Sequence, residues 1–216
     1  MSFALSILFL LAAVFPQQRL LLIEVGLSAA LLITFPLLFV RKKLDGAMVD
    51  WSLTLAIPVY LGWPLSVFLL LRGFQGGITP GFWWVLTVFL GVWGFDSGAF
   101  FAGHFFGKHK LAPTISPAKT WEGVAGGLVF SIAAALLLTT WTLTLGVPWY
   151  LAILLGILIG IAATLGDLAE SLIKRQTHVK DSGQFMPGHG GLLDRIDSLL
   201  FAVVVVFIFA QLVGKL

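Results

Sequence analysis

Along most of the chain, apolar residues follow one another without the alternation of a strand, and the few charges punctuate these runs. Residues 1–18 carry no Asp, Glu, Lys or Arg, 20–40 carry only Glu24, and 51–71 and 73–95 carry none. The run after 73 continues past Asp96 to about Phe106. Residues 123–166 form an uncharged stretch of 44, long enough for two spans, with a break at Gly146-Val147-Pro148; 198–214 are again uncharged. A membrane helix needs about 20 mostly apolar residues. The pattern therefore predicts seven spans, at 3–15, 20–40, 51–71, 82–106, 122–145, 149–172 and 192–213, the first being short. That first stretch lacks the basic start of a signal peptide. A membrane barrel would alternate apolar and polar positions, and these runs do not. The predicted fold is all-α, a polytopic membrane helix bundle of about seven transmembrane helices.

Composition agrees. Of 216 residues, 59% are hydrophobic and 11% charged, against about 25% charged in soluble domains, and the mean hydropathy is +1.02. Disorder, a secreted disulfide scaffold and a nucleic-acid-binding domain are excluded, and the absence of cysteine removes thiol chemistry. Neither a repeat nor an internal linker divides the chain, so 1–216 reads as a single integral membrane domain, its first 91 residues recognisable only as apolar helices.

Charge changes the picture through its distribution. With seven spans, one side of the membrane holds Arg41, Lys42, Lys43, Lys108, Lys110, Lys119, Lys174, Arg175 and Lys180, with Arg195 at the same boundary; the other holds Arg19, Arg72 and Lys215. Loops of cytoplasmic membrane proteins are enriched in Lys and Arg on the inside, so loops 107–120 and 176–191 are expected in the cytoplasm.

Seven of the ten acidic residues fall near the ends of these spans: Asp96, Glu122, Asp167, Glu170, Asp181, Asp194 and Asp197. An ionised side chain at membrane depth costs roughly 2.5–3.5 kcal/mol, so such residues are functional candidates by default. Asp167, Glu170, Ser171 and Lys174 are spaced to share one helical face, as are Asp194 and Asp197. Two carboxylate-bearing faces joined by a basic, glycine-rich loop suit a hard cation such as Mg²⁺, which takes one or two carboxylates plus substrate phosphates. The loop supplies Lys174, Arg175, Lys180, His189 and Arg195, all phosphate-binding types, and Gly190-Gly191 can bring backbone N–H groups to an anion. The same spacing would also serve a structural salt-bridge network or the ion path of a transporter. Thr120 could cap the helix that follows it, and His104 and His109 read as headgroup-layer residues.

Residues 171–197, SLIKRQTHVKDSGQFMPGHGGLLDRID, resemble the signature of the phosphatidate cytidylyltransferases, or CDP-diglyceride synthases. The match runs through Ser171, Ile173, Lys174-Arg175, Lys180-Asp181, Gly183, Pro187, His189-Gly190-Gly191, Leu192, Asp194-Arg195, Ile196 and Asp197; Met186 stands where Leu, Ile or Phe is usual. The stretch from Asp96 to Gly123, with Ser116-Pro117 and Lys119-Thr120-Trp121-Glu122-Gly123, is similar to that family's upstream segment, so the resemblance covers roughly residues 92–200. The spaced Asp-x-x-Asp-Gly motif of the CDP-alcohol phosphatidyltransferases is not found.

The resemblance implies that CTP and phosphatidate react to CDP-diacylglycerol and pyrophosphate at the cytoplasmic face of a prokaryotic membrane, in phospholipid biosynthesis. It implies Mg²⁺ as cofactor, with Asp167, Asp194 and Asp197 as leading metal-site residues and Ser171 as a neighbouring oxygen ligand. Asp181 would bind metal or order Lys180. Lys174, Arg175, Lys180, His189, Gly190, Gly191 and Arg195 would hold phosphates, and Asp96, Ser116, Lys119 and Thr120 would touch nucleotide or lipid headgroup. CTP, phosphatidate and the bilayer are the expected partners, nucleic acid is not, and a homodimer is left open. The alternatives are a related CTP-dependent enzyme acting on another lipid phosphate or a polyprenyl alcohol, and an ion or lipid transporter.

Overall fold

The computed structural model describes residues 1–41, 44–74, 78–141, 145–179, 182–183 and 191–214. It divides into two compact units, Met1–Leu71 and Arg72–Leu216. Among the described residues, six helical stretches are long and apolar enough to cross a membrane: Pro16–Leu37, Ala47–Arg72, Gly81–Phe106, Trp121–Thr140, Trp149–Gln176 and Leu193–Val213. The protein is a polytopic helical membrane protein. The first predicted span is helix α1, Ser2–Val14, whose 13 residues fall short of the bilayer core.

In the first unit, α1 packs against α2 (Arg19–Leu37) and α3 (Ala47–Ile57), which passes through a π-helical turn at Pro58–Gly62 into α4 (Trp63–Arg72). Proline at position 58 removes a backbone donor from the helical ladder, and a local widening of this kind accommodates the loss. Leu5, Phe9 and Ala30 form its buried cluster, with Leu8, Ile23, Leu55 and Trp63 around them. Phe9 meets the Trp63 ring edge-on at 5.7 Å. Two hydrogen bonds cross between its helices: Trp51 Nε1 donates to Thr34 Oγ1 at 2.9 Å, and Ser2 Oγ to the Thr54 carbonyl at 3.0 Å. Leu20, Leu21, Leu31 and Leu32 of α2 stay exposed, as a lipid-facing surface requires and a water-facing one could not sustain.

The second unit holds α5 (Ile78–Phe106), a short hairpin, α6 (Trp121–Leu136, ending in a π-helical turn), α7 (Trp149–Gln176) and α8 (Leu193–Val213). Consecutive helices pack on one another, and α5 also touches α7 and α8. Trp84, Val88 and Val92 of α5, Leu155 and Ile159 of α7, and Leu200, Val203 and Val206 of α8 are fully buried there. Glycine allows close crossings: a Cβ at Gly98 would lie 2.7 Å from the Gly126 carbonyl oxygen of α6. Membrane helices lack a hydrophobic drive toward one another and rely on such close backbone approach. The predicted break at 146–148 is present, with Gly146 at φ 59°, in the left-handed region, and Pro148 capping α7.

One element departs from the all-helical expectation. Residues predicted as loop pair as antiparallel strands, β1 (Lys110–Ala112) with β2 (Ser116–Thr120), Lys110 standing opposite Thr120 and Ala112 opposite Ser116. A three-residue strand is too short for a period-two pattern to reveal it.

Candidate active site

The hairpin is fastened at both ends. At its base, the Glu122 carboxylate, in the first turn of α6, accepts from the backbone N–H groups of Lys108 and His109 at 3.2 Å and lies 2.6 Å from His109 Nδ1. Thr120 caps α6, its hydroxyl oxygen accepting from the Gly123 N–H at 3.1 Å, as the sequence suggested. At the turn, Arg175 Nε, near the end of α7, donates to the Ile115 carbonyl at 3.2 Å. That contact places the hairpin and the C-terminal end of α7 at the same end of the unit.

Fastened so, the hairpin turns Lys119 and Thr120 into a cavity of about 580 Å³ that Asp96, Phe100 and His104 of α5 and Thr164 and Asp167 of α7 also line. Asp96 lies ten residues before the end of α5, roughly 15 Å in along the helix axis, so a polar pocket reaches into the apolar span. Lys119 Nζ sits 2.5 Å from Asp167 Oδ2. The Ser171 hydroxyl, one turn along α7, donates to Asp167 Oδ1 at 3.3 Å. Asp197, nearly buried, accepts from the Ser198 N–H at 2.6 Å. It comes close because Gly166 lets α8 approach: a Cβ there would lie 2.6 Å from the Asp197 carbonyl oxygen. Asp96 and Asp167 thus face one cavity, with the Lys119 ammonium paired to Asp167.

A second charged group stands one turn further along α7. Lys174 Nζ donates at 2.8 Å both to Glu170 Oε2 and to Asp194 Oδ1. Glu170 is 1% exposed, and its Oε1 has no hydrogen-bond partner among the described residues. Asp194 Oδ2 accepts from the Ser182 N–H at 2.9 Å, the Ser182 hydroxyl at 2.7 Å and the Gly191 N–H at 2.7 Å. Asp194 thus ties together the chain on either side of residues 184–190.

Of the residues singled out from sequence, the structure brings together Asp96, Lys119, Thr120 and Asp167 around the cavity, with Ser171 and Asp197 beside Asp167. Asp194 is engaged instead by Lys174, Ser182 and Gly191. Ser116 stands half-buried at the start of β2, and Arg175 and Arg195 are exposed. Lys180, Asp181, His189 and Gly190 lie outside the described residues. Among the described residues, no group of three His, Asp or Glu is gathered as a metal-ligand set. Sequence reasoning passed over Glu170 and His104 as site residues. Glu170 shares the face of Asp167 and Lys174 by spacing, and His104 lies eight residues after Asp96 on the cavity side of α5; both signals were present.

The model of the cytidylyltransferase family matches residues 1–213. The chain is 48% identical over 126 residues to the phosphatidate cytidylyltransferase of Haemophilus influenzae, covering 57% of this chain and 44% of that protein. It is 39% identical over 181 residues to that of Bacillus subtilis, covering 83% and 65%. It is 39% identical over 204 residues to that of Pseudomonas aeruginosa, covering 84% and 75%. The match thus spans less than half the length of the Haemophilus protein.

Proposed function

The chain belongs to the cytidylyltransferase family, and on that premise we propose that it transfers a cytidylyl group from CTP to phosphatidate. The products are CDP-diacylglycerol and pyrophosphate. A phosphate oxygen of phosphatidate forms a bond to the α-phosphorus of CTP, and the bond from that phosphorus to the oxygen bridging the β-phosphorus breaks. The attacking phosphate is already ionised near neutral pH, so the step needs neither a protein nucleophile nor a strong base. It needs two anions held together, and positioning and electrostatics supply that.

The observation that carries the reading is a charged cavity set inside an apolar helix bundle, where a water-borne nucleotide and a membrane-held phosphate can meet. Lys119, with the Thr120 hydroxyl beside it, is the group to take a phosphate in that cavity, and Ser116 begins the same strand. Arg175 and Arg195, with Lys180, His189 and the Gly190 amide, are proposed to hold the remaining phosphate charge, Lys174 and the Gly191 N–H being engaged by Asp194. Mg²⁺ fits the residues present. The donors at Asp167, its carboxylate and the Ser171 hydroxyl, are oxygens, the ligand type a hard cation takes. Asp167, Ser171 and Asp197 are the residues to hold it. When bound, it supplies positive charge against the phosphates.

The test is pyrophosphate release by purified protein, expected only when CTP and phosphatidate are both present and lost in excess EDTA. Release supported by other lipid phosphates but not by phosphatidate would move the assignment to a related CTP-dependent enzyme. Full turnover in EDTA would remove the metal.

We further propose that the site faces the cytoplasm of a prokaryotic cell, supported by the ten-to-three division of basic residues. A single cysteine can test the side, since the chain has no other. In Gln176→Cys, exposed at the end of α7, an impermeant thiol reagent should label the protein only after the cells are opened. Labelling from outside intact cells reverses the orientation.

A further inference from the structure

The two lysines of the site are held differently. Lys174 is shared by two carboxylates, Glu170 and Asp194, each at 2.8 Å, and Asp194 is itself fastened by three further hydrogen bonds. Withdrawing Lys174 would undo that whole group. Lys119 has one carboxylate partner among the described residues, Asp167, and stands on a five-residue strand rather than within a helix. Both partners remain in touch with the cavity, at 21% and 36% side-chain exposure. A lysine ammonium is a compact charge on a flexible four-carbon stem, able to exchange one anion for another without moving the backbone.

Lys119 also sits where a cation is wanted. Asp96 and Asp167 line the same cavity, where like charges repel, and the ammonium at Asp167 offsets that. A divalent cation arriving at Asp167 meets a like charge already in place. The same ammonium, once displaced, is within the cavity that has to receive a phosphate.

We infer that Lys119 is an exchangeable counter-ion: it holds the place of the divalent cation on Asp167 while the site is empty, and is released to a substrate phosphate when that cation binds. This rests on the reading of the cavity as a metal-dependent phosphate site. The consequence is an order of events. Lys119 would become free for a substrate phosphate only once a cation had taken its place on Asp167. A lysine with a merely structural role would leave cation affinity unchanged or lower it when removed. A place-holding lysine opposes the cation, and its removal must strengthen binding.

The experiment is a titration of the detergent-purified protein with Mn²⁺ alone, the free ion being read by its paramagnetic resonance signal. Lys119→Met keeps the stem and removes the charge, and should bind Mn²⁺ about fivefold more tightly, the scale of releasing one partly exposed ion pair. Lys119→Arg keeps the charge and should remain near wild type, and Lys119→Gln should repeat the gain if the Met variant does not stay monodisperse. Unchanged or weaker Mn²⁺ binding in the uncharged variants, or no Mn²⁺ binding by any form, overturns the inference. The titration uses no CTP and no lipid. Tighter Mn²⁺ binding in a protein without cytidylyl transfer would keep the counter-ion and overturn the reaction. Normal transfer with unaltered Mn²⁺ binding would do the opposite.

Discussion

Asp167→Asn should leave a folded protein whose turnover falls by at least about a hundredfold, the scale on which losing one preorganised electrostatic contact is felt. The substitution nearly keeps shape and removes one charge. Folding should survive because Asp167 lies half-buried at the wall of a cavity it shares with the like-charged Asp96, where the two carboxylates repel. Losing the Lys119 pair is offset by losing that repulsion, and a neutral amide is cheaper at membrane depth than a carboxylate. What disappears is the group that Ser171, Lys119 and the proposed cation converge on. The measurement is turnover per folded molecule, on protein that is monodisperse in detergent. Near-normal turnover would take Asp167 out of the site, and loss of the folded form would make it part of a structural salt-bridge network instead.

Asp194→Asn is the same chemical change with a different expected result: a loss of about 3 kcal/mol of stability, the scale for breaking charged hydrogen bonds at a mostly buried position. The Asp194 side chain is 15% exposed and accepts from Lys174, from the Ser182 N–H and hydroxyl, and from the Gly191 N–H. Four donors surround it, so an amide cannot substitute. Its NH₂ group would face other donors, and Lys174 would be left with Glu170 alone. The melting temperature of the purified protein should fall, and activity with it, because residues 182 and 191 lose the group that draws them together. An unchanged melting temperature with turnover abolished would instead make Asp194 a direct ligand, as its place in the signature suggested. The pair of variants therefore separates a residue that serves the reaction from one that shapes the site.

The contrast between these two aspartates shows where sequence reasoning reached and where it stopped. Both were read as metal-site residues, from spacing and from resemblance, and nothing in the spacing distinguishes them. Lys119 read as a positive-inside residue and a second-rank contact, yet it reaches Asp167 at 2.5 Å. Lys174, on the expected face of α7, is spent on Glu170 and Asp194. Glu122 stood out only as an acidic residue near a helix end, and its work of holding the hairpin base through Lys108 and His109 was invisible.

The sequence by itself determined the spans, the break before α7, the cap at Thr120 and the shared face of Asp167, Glu170, Ser171 and Lys174. Each follows from a local rule: an apolar run longer than the bilayer core must close its own backbone hydrogen bonds as a helix, a Gly-Val-Pro segment interrupts one, and side chains three and four apart lie together on it. Only the tertiary structure decided which cation Asp167 and Asp194 take, that residues 110–120 form a hairpin, and that Glu170 is the most buried acid among the described residues. Those depend on how closely helices approach, at Gly98 against α6 and Gly166 against α8. Charge pairing falls off over a few ångströms, whereas a hydropathy pattern averages over twenty residues, so the second can be read along a chain and the first must wait until the chain is folded.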